Sequence, residues 1–195
     1  MKKTELIFGL LSIIAISLNL LYVPFCNVFT ILVLGTFATF YFIFSYPILN
    51  NIEVKNIINN EAMKMISTAR KVGTIGAGFV LSTTIIGILF KVQSYPGAKF
   101  ELMNGLYGIL IVAVIVVYKY LKTKSEFYKK ALIRIIIIGG FGLLFYNISY
   151  KTIIHTKFRN HPAYAEALIN MIAHQGDTIY MDKFQIEREK LHQGE

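Results

Sequence analysis

SYPGAK (residues 94–99) separates two long apolar runs, and YVPFCN (residues 22–27) separates two others. Each flanking run is close to the length of about 20 residues that a helix needs to cross about 30 Å of hydrocarbon. Pro24 and Pro96 mark the two stretches as turns, because proline interrupts the hydrogen bonding of a helix interior. The chain is therefore predicted to be a polytopic membrane protein that contains two helical hairpins.

The composition supports this class. Hydrophobic residues make up 55% of the chain and charged residues only 16%, whereas soluble domains carry about 25% charged residues. A net charge of +9 would suggest a nucleic-acid partner in a soluble protein, but here the basic residues gather between the apolar runs, as membrane topology requires. We therefore expect lipid contact and no nucleic-acid partner. The single cysteine, Cys26, excludes an internal disulfide.

The predicted fold is all-α: a polytopic membrane helix bundle of five transmembrane helices, arranged as two Pro-turned hairpins plus one, with a small C-terminal helical tail. Continuous apolar runs favour helices over membrane strands, in which apolar and polar residues alternate. The predicted spans cover about 6–24, 28–49, 72–92, 100–118 and 131–149. A cleaved signal peptide is the alternative for the first span, but its apolar run continues past the candidate cleavage site.

The predicted domains follow from these spans. They are a first hairpin (1–49), a cytoplasmic amphipathic helix or linker (50–71), a second hairpin (72–118), a basic connector (119–130), a fifth span (131–150) and an extracytoplasmic tail (151–195).

The distribution of Lys and Arg predicts the orientation. Twelve lie near the span ends on the side of the N-terminus, and five lie on the other side. Because cytoplasmic loops are enriched in basic residues, we expect a bacterial inner-membrane protein with a cytoplasmic N-terminus and an extracytoplasmic C-terminus.

The tail is predicted to form two short helices. His161 and Pro162 can start the first, since proline is tolerated in the first turn, and Gly176 can end it. The second is expected from about Asp177 to His192. Two helices are too small for a core of their own, so we expect the tail to dock on the membrane domain or on a partner.

No metal site, cofactor or catalytic residue is predicted. The four histidines of the chain all lie in the tail, at positions 155, 161, 174 and 192. None of their spacings is the i, i+3 or i, i+4 pairing that presents two imidazoles from one helix face.

Structural and interaction residues are predicted around the turns. Lys91 could pair with Glu101 across the second turn, which contains Tyr95, Pro96 and Gly97. Snorkelling of Lys91 to the membrane surface is the alternative.

Small residues predict where helices pack closely, because they let backbones approach. Gly105 and Gly108 are the candidates in the fourth span. Others lie in the third and fifth spans: Gly73, Gly76, Ala77, Gly78, Gly139, Gly140 and Gly142.

Residues 86–98 (IGILFKVQSYPGA) and 102–106 (LMNGL) resemble the transmembrane hairpin of the L subunit of the gliding motor, which powers type IX secretion in Bacteroidota. Related membrane proteins of that phylum share the pattern G-x-L-F-K-x-x-x-[WY]-P-G-A. The resemblance covers about 35 of the 195 residues. It implies a helical hairpin and places Lys91 at the lysine of the motor. The glutamate position of the motor falls near Ile109, which is apolar.

A shift of 72 residues aligns Pro24 with Pro96 and Cys26 with Ala98. The two hairpins are thus either a parallel repeat or a chance alignment of apolar runs.

The sequence predicts a non-enzymatic function: a structural or interaction subunit of a bacterial cell-envelope assembly, linked to secretion or gliding. A membrane protein partner or a homo-oligomer is expected. The alternative is a small transporter or channel with Lys91 in a polar cavity, and a membrane enzyme would need clustered carboxylates or histidines.

Overall fold

Five long helices and three short ones make up the described part of the chain. The structure is a computed structural model and describes residues 2–50, 52 and 67–193. The long helices are α1 (Lys2–Leu20), α2 (Cys26–Asn50), α3 (Thr68–Val92), α4 (Ala98–Thr123) and α5 (Glu126–Asn147). The tail helices are α6 (Tyr150–Lys157), α7 (Pro162–Ala173) and α8 (Thr178–Gln193).

All five long helices are long and apolar enough to cross a membrane. No strand occurs among the described residues. These helices satisfy their backbone hydrogen bonds internally, as a segment in lipid must. The predicted fold class is therefore confirmed: the protein is an all-α, multi-pass membrane helix bundle.

Helix α3 lies at the centre of the bundle. It packs against α2, α4 and α5, while α1 packs mainly against α2. In the most apolar stretch of α3, 56% of the residues are buried inside the protein, against 17% in α1. Helix α1 is thus a peripheral helix that leaves most of its apolar surface for lipid.

Glycines mark the closest contacts between helices. A Cβ atom on Gly105 would lie 2.7 Å from the hydroxyl oxygen of Thr84, and one on Gly108 would lie 2.8 Å from Val80. Gly78, Gly139 and Gly142 are similarly close to neighbouring helices, so the packing role predicted for these five is confirmed. Gly73, Gly76 and Gly140 have nothing within 4 Å of such an atom, and the prediction was wrong for them.

The connections differ from the sequence-based boundaries. The connector predicted over 119–130 consists only of Lys124 and Ser125, because α4 and α5 extend into it. Ser125 caps α5 by accepting a hydrogen bond from the backbone N–H of Phe127 at 3.4 Å. The amphipathic helix predicted over 50–71 falls largely outside the described residues, and α3 begins at Thr68, earlier than expected.

The tail forms the predicted pair of helices, α7 and α8, preceded by α6, which the sequence did not predict. Pro162 occupies the first turn of α7, and Gly176 beyond its end is left-handed with φ of 93°. Ala165 and Ile169 form a small core with Ile154 and Phe158, against which Tyr22 of the first turn packs. The tail therefore docks on the bundle, the first of the two docking alternatives predicted.

Candidate functional site

The two Pro turns have the same backbone geometry at an offset of 72 residues. In the first, the N–H groups of Tyr22, Val23 and Cys26 donate to the carbonyl oxygens of residues 19, 18 and 23 at 3.1–3.2 Å. In the second, Ser94, Tyr95 and Ala98 donate to the carbonyl oxygens of residues 91, 90 and 95 at 2.9–3.2 Å.

The positive φ angles repeat in the same way. Tyr22 and Ser94 have φ of 55° and 57°, and Phe25 and Gly97 have φ of 62° and 79°. Both turns lie at the same end of the bundle, which we call the turn end; the opposite end, with the start of α1, is the N-terminal end. The turn geometry thus repeats at the offset of 72 residues, with both turns at the same end of the bundle.

Lys91 is buried, not snorkelled: only 5% of its surface is exposed. It forms no ion pair with Glu101, and no hydrogen bond of its ammonium group is found within the described part of the chain. The predicted ion pair across the second turn was therefore wrong.

The remaining predicted residues at the turn end do not form one site. The ring of Tyr95 packs on that of Phe90, with 5.5 Å between centroids, beside Pro96 and Gly97 in the second turn. His161, which precedes Pro162 of α7, lies 6.0 Å from the ring of Tyr22, near Pro24 of the first turn. These predicted residues therefore lie at two separate places, one at the turn of each hairpin.

A polar cluster joins the first turn to the tail. The ammonium group of Lys157 donates to Oδ1 of Asn27 at 2.7 Å. Asn19 donates to the same oxygen at 3.0 Å, and Gln93 of the second hairpin donates to the carbonyl oxygen of Asn27 at 3.0 Å. Asn27 thus connects α1, α2, the second turn and α6.

Burial changes the acidity of this lysine. Only 5% of Lys157 is exposed, and burial lowers its pKa from the ordinary 10.5 to about 8, because a low-dielectric environment disfavours the charged form. Asn19 is fully buried, and its Oδ1 has no hydrogen-bond partner.

An ion pair lies near the N-terminal end of the bundle. Arg134 of α5 donates from Nε and Nη2 to the two carboxylate oxygens of Glu5 at 2.6 and 2.8 Å. The hydroxyl of Tyr41, which is 1% exposed, also donates to Glu5. The side chains of Arg134 and Glu5 are only 11% and 17% exposed. Two-pronged geometry and partial burial make this a strong pair.

A cavity between the described helices lies beside this pair. It has a volume of about 540 Å³ and runs between α1 and α5, from Glu5 to Ile16 on one helix and from Lys130 to Phe141 on the other. We call it the α1–α5 groove. Helices α2 and α3 form its back wall, with Leu34, Ile85 and Ile88. Neither this groove nor a smaller cavity of about 340 Å³ between α7 and α8 is lined by Lys91.

Sequence reasoning missed the residues of both polar sites. Glu5 is the one acidic residue in the first 50 positions, and Arg134 is the one charged residue within the predicted span 131–149. Two opposite charges near the ends of apolar segments were the available signal. Asn27 and Lys157 gave no such signal, because they lie 130 positions apart.

No group of three or more potential metal ligands (His, Cys, Asp or Glu) was found among the described residues. No protein-family model, curated protein or solved structure matches the chain.

Proposed function

We propose that this chain is a non-enzymatic interaction subunit of a bacterial cell-envelope assembly, with the tail as its docking surface. The observation that carries the proposal is the exposed apolar surface of α8. Ile179, Met181 and Ile186 are 62%, 47% and 53% exposed on a helix outside the candidate membrane spans. Ile179 and Ile186 lie seven residues apart and therefore on one face of α8, and adjoining exposed apolar groups are typical of a surface that binds another protein.

The docking of the tail supports this proposal. The contact of Lys157 with Asn27 and the packing of Phe158 on Tyr22, with ring centroids 4.9 Å apart, hold the tail on the bundle. A partner bound at α8 would therefore be tied to the membrane domain. The alternative of a transporter or channel requires Lys91 in a polar cavity, and Lys91 lines neither of the two cavities described above.

The location belongs to the same proposal. The excess of Lys and Arg at the N-terminal side supports a cytoplasmic N-terminus in the inner membrane, and five spans then leave the tail extracytoplasmic. The resemblance of residues 86–106 to the motor hairpin supports a link to secretion or gliding.

The test is purification of the C-terminally tagged protein from native membranes in mild detergent, with identification of co-eluting proteins by mass spectrometry. The variant I179D/I186D adds two charges to the exposed face of α8. The control T178D/Q185D adds the same charges at exposed neighbouring positions of that helix. We expect a stoichiometric envelope protein with the wild type and the control but not with the variant.

Recovery of the wild type alone, as a defined homo-oligomer, would contradict the proposal. Flux measurements on the reconstituted protein would then be the next experiment.

A further inference from the structure

We propose that the α1–α5 groove is a binding site for an anionic phospholipid of the leaflet at the N-terminal end, with one acyl chain in the groove and the phosphate beside Lys130. This site is independent of the docking surface on α8, because it lies at the opposite end of the bundle.

The shape of the groove fits one acyl chain. Its walls extend over twelve residues of α1, from Glu5 to Ile16, and over twelve of α5, from Lys130 to Phe141. At about 1.5 Å per residue this is about 18 Å, slightly more than half of the roughly 30 Å hydrocarbon core and thus close to the depth of one leaflet. A volume of about 540 Å³ is within the range of about 300–1,000 Å³ of small-ligand sites.

The groove opens toward lipid. Leu10 and Ile13 on α1 and Ile137 on α5 line it and are 55%, 48% and 54% exposed. Helices α1 and α5 make little direct contact, and the Glu5–Arg134 pair connects them at one end. A chain can therefore enter sideways from the bilayer, whereas a water-soluble ligand would meet the ion pair and apolar walls.

The charge at the mouth favours an anionic headgroup. Glu5 and Arg134 neutralise each other. Lys130 lines the groove, and its ammonium group makes no hydrogen bond or ion pair within the part of the chain that the structure describes. Lys3, which is exposed, lies two residues before Glu5 on α1. The net positive charge at headgroup level is what basic pockets between transmembrane helices offer to anionic lipids.

Two matched pairs of variants test this proposal. Lys130→Gln removes the charge at the mouth, and Lys129→Gln removes the same charge from the neighbouring residue, which pairs with Glu126 and does not line the groove. Gly9→Leu fills the groove, since a Cβ atom on Gly9 has open space around it. Gly35→Leu places the same side chain in open space on α2, away from the groove.

The measurement is native mass spectrometry of the purified protein titrated with phosphatidylglycerol or with phosphatidylcholine of the same chain length. We expect one phosphatidylglycerol to bind preferentially to the wild type. Lys130→Gln should weaken this binding about fivefold, as for one basic residue at an anionic surface, and Gly9→Leu should abolish it. Lys129→Gln and Gly35→Leu should bind as the wild type does.

Three results would overturn the proposal. They are equal binding of the two lipids by the wild type, equal losses for Lys130→Gln and Lys129→Gln, and full binding by Gly9→Leu. A Gly9→Leu variant that dissociates a homodimer and leaves lipid binding unchanged would show that a second copy of the chain occupies the groove.

Discussion

At the scale of single residues, the Glu5–Arg134 pair is the contact whose loss we expect to cost most. Replacing Arg134 with Ala would leave the carboxylate of Glu5, which is only 17% exposed, without its cationic partner. Because the pair is partly buried, we expect a loss of folding stability of up to the roughly 3–5 kcal/mol that breaking a buried pair costs. We expect a correspondingly lower melting temperature in detergent. Circular dichroism can measure it, because the chain has no tryptophan for fluorescence.

Lys129→Ala is the matched control for Arg134→Ala. Its ion pair with Glu126 has side chains that are 54% and 68% exposed, so its loss should cost at most about 1 kcal/mol. The double variant Glu5→Ala/Arg134→Ala should lose less stability than the sum of the single losses. Additive losses would show that the two residues are not coupled.

At the scale of helices, the crossing of α3 and α4 depends on Gly105. A methyl group there would lie 2.7 Å from the Thr84 hydroxyl and 2.8 Å from its Cα. The backbone of α3 would have to shift to make room for it. We expect Gly105→Ala to lower stability by about 1–3 kcal/mol through overpacking. Gly140→Ala, with open space around its Cβ, should be neutral or stabilise α5 by up to about 1 kcal/mol. Thermal unfolding in detergent measures both, and equal effects would refute the assigned crossing.

At the scale of the whole molecule, Lys157 couples the tail to the bundle in a pH-dependent way. Its pKa is about 8 in the docked state and 10.5 ordinarily. Between these values an undocked Lys157 holds a proton that the docked one has released, so raising the pH favours docking, by about 1 kcal/mol per pH unit. Hydrogen exchange of α6 and α7 from pH 7.5 to 10, corrected for intrinsic exchange rates, should show increasing protection.

Lys157→Met should remove this dependence on pH. Lys151→Met alters an exposed lysine of the same helix and should leave the dependence intact. Protection that falls with pH in the wild type would contradict the role given to Lys157.

The sequence was sufficient for features set by local patterns and insufficient for those set by three-dimensional proximity. Apolar length located the five spans, and Pro162 and Gly176 located the ends of α7. The prediction that Lys91 pairs with Glu101 was wrong, because two residues that flank one turn in sequence need not have side chains that meet across it. The partners of Asn27 and Glu5 lie 130 and 129 positions away in the chain, and no local pattern encodes such a pairing.

The two turns share one backbone geometry but place different residues at the same left-handed position, so we expect the two hairpins to differ in local stability. Phe25 is 89% exposed and adopts the left-handed conformation that Gly97 adopts in the other turn. A residue with a side chain is held there at a cost of about 1–2 kcal/mol that glycine does not incur. The strained turn also belongs to α1, the helix with the least burial. Local unfolding should therefore begin at the first hairpin, while the second hairpin stays folded.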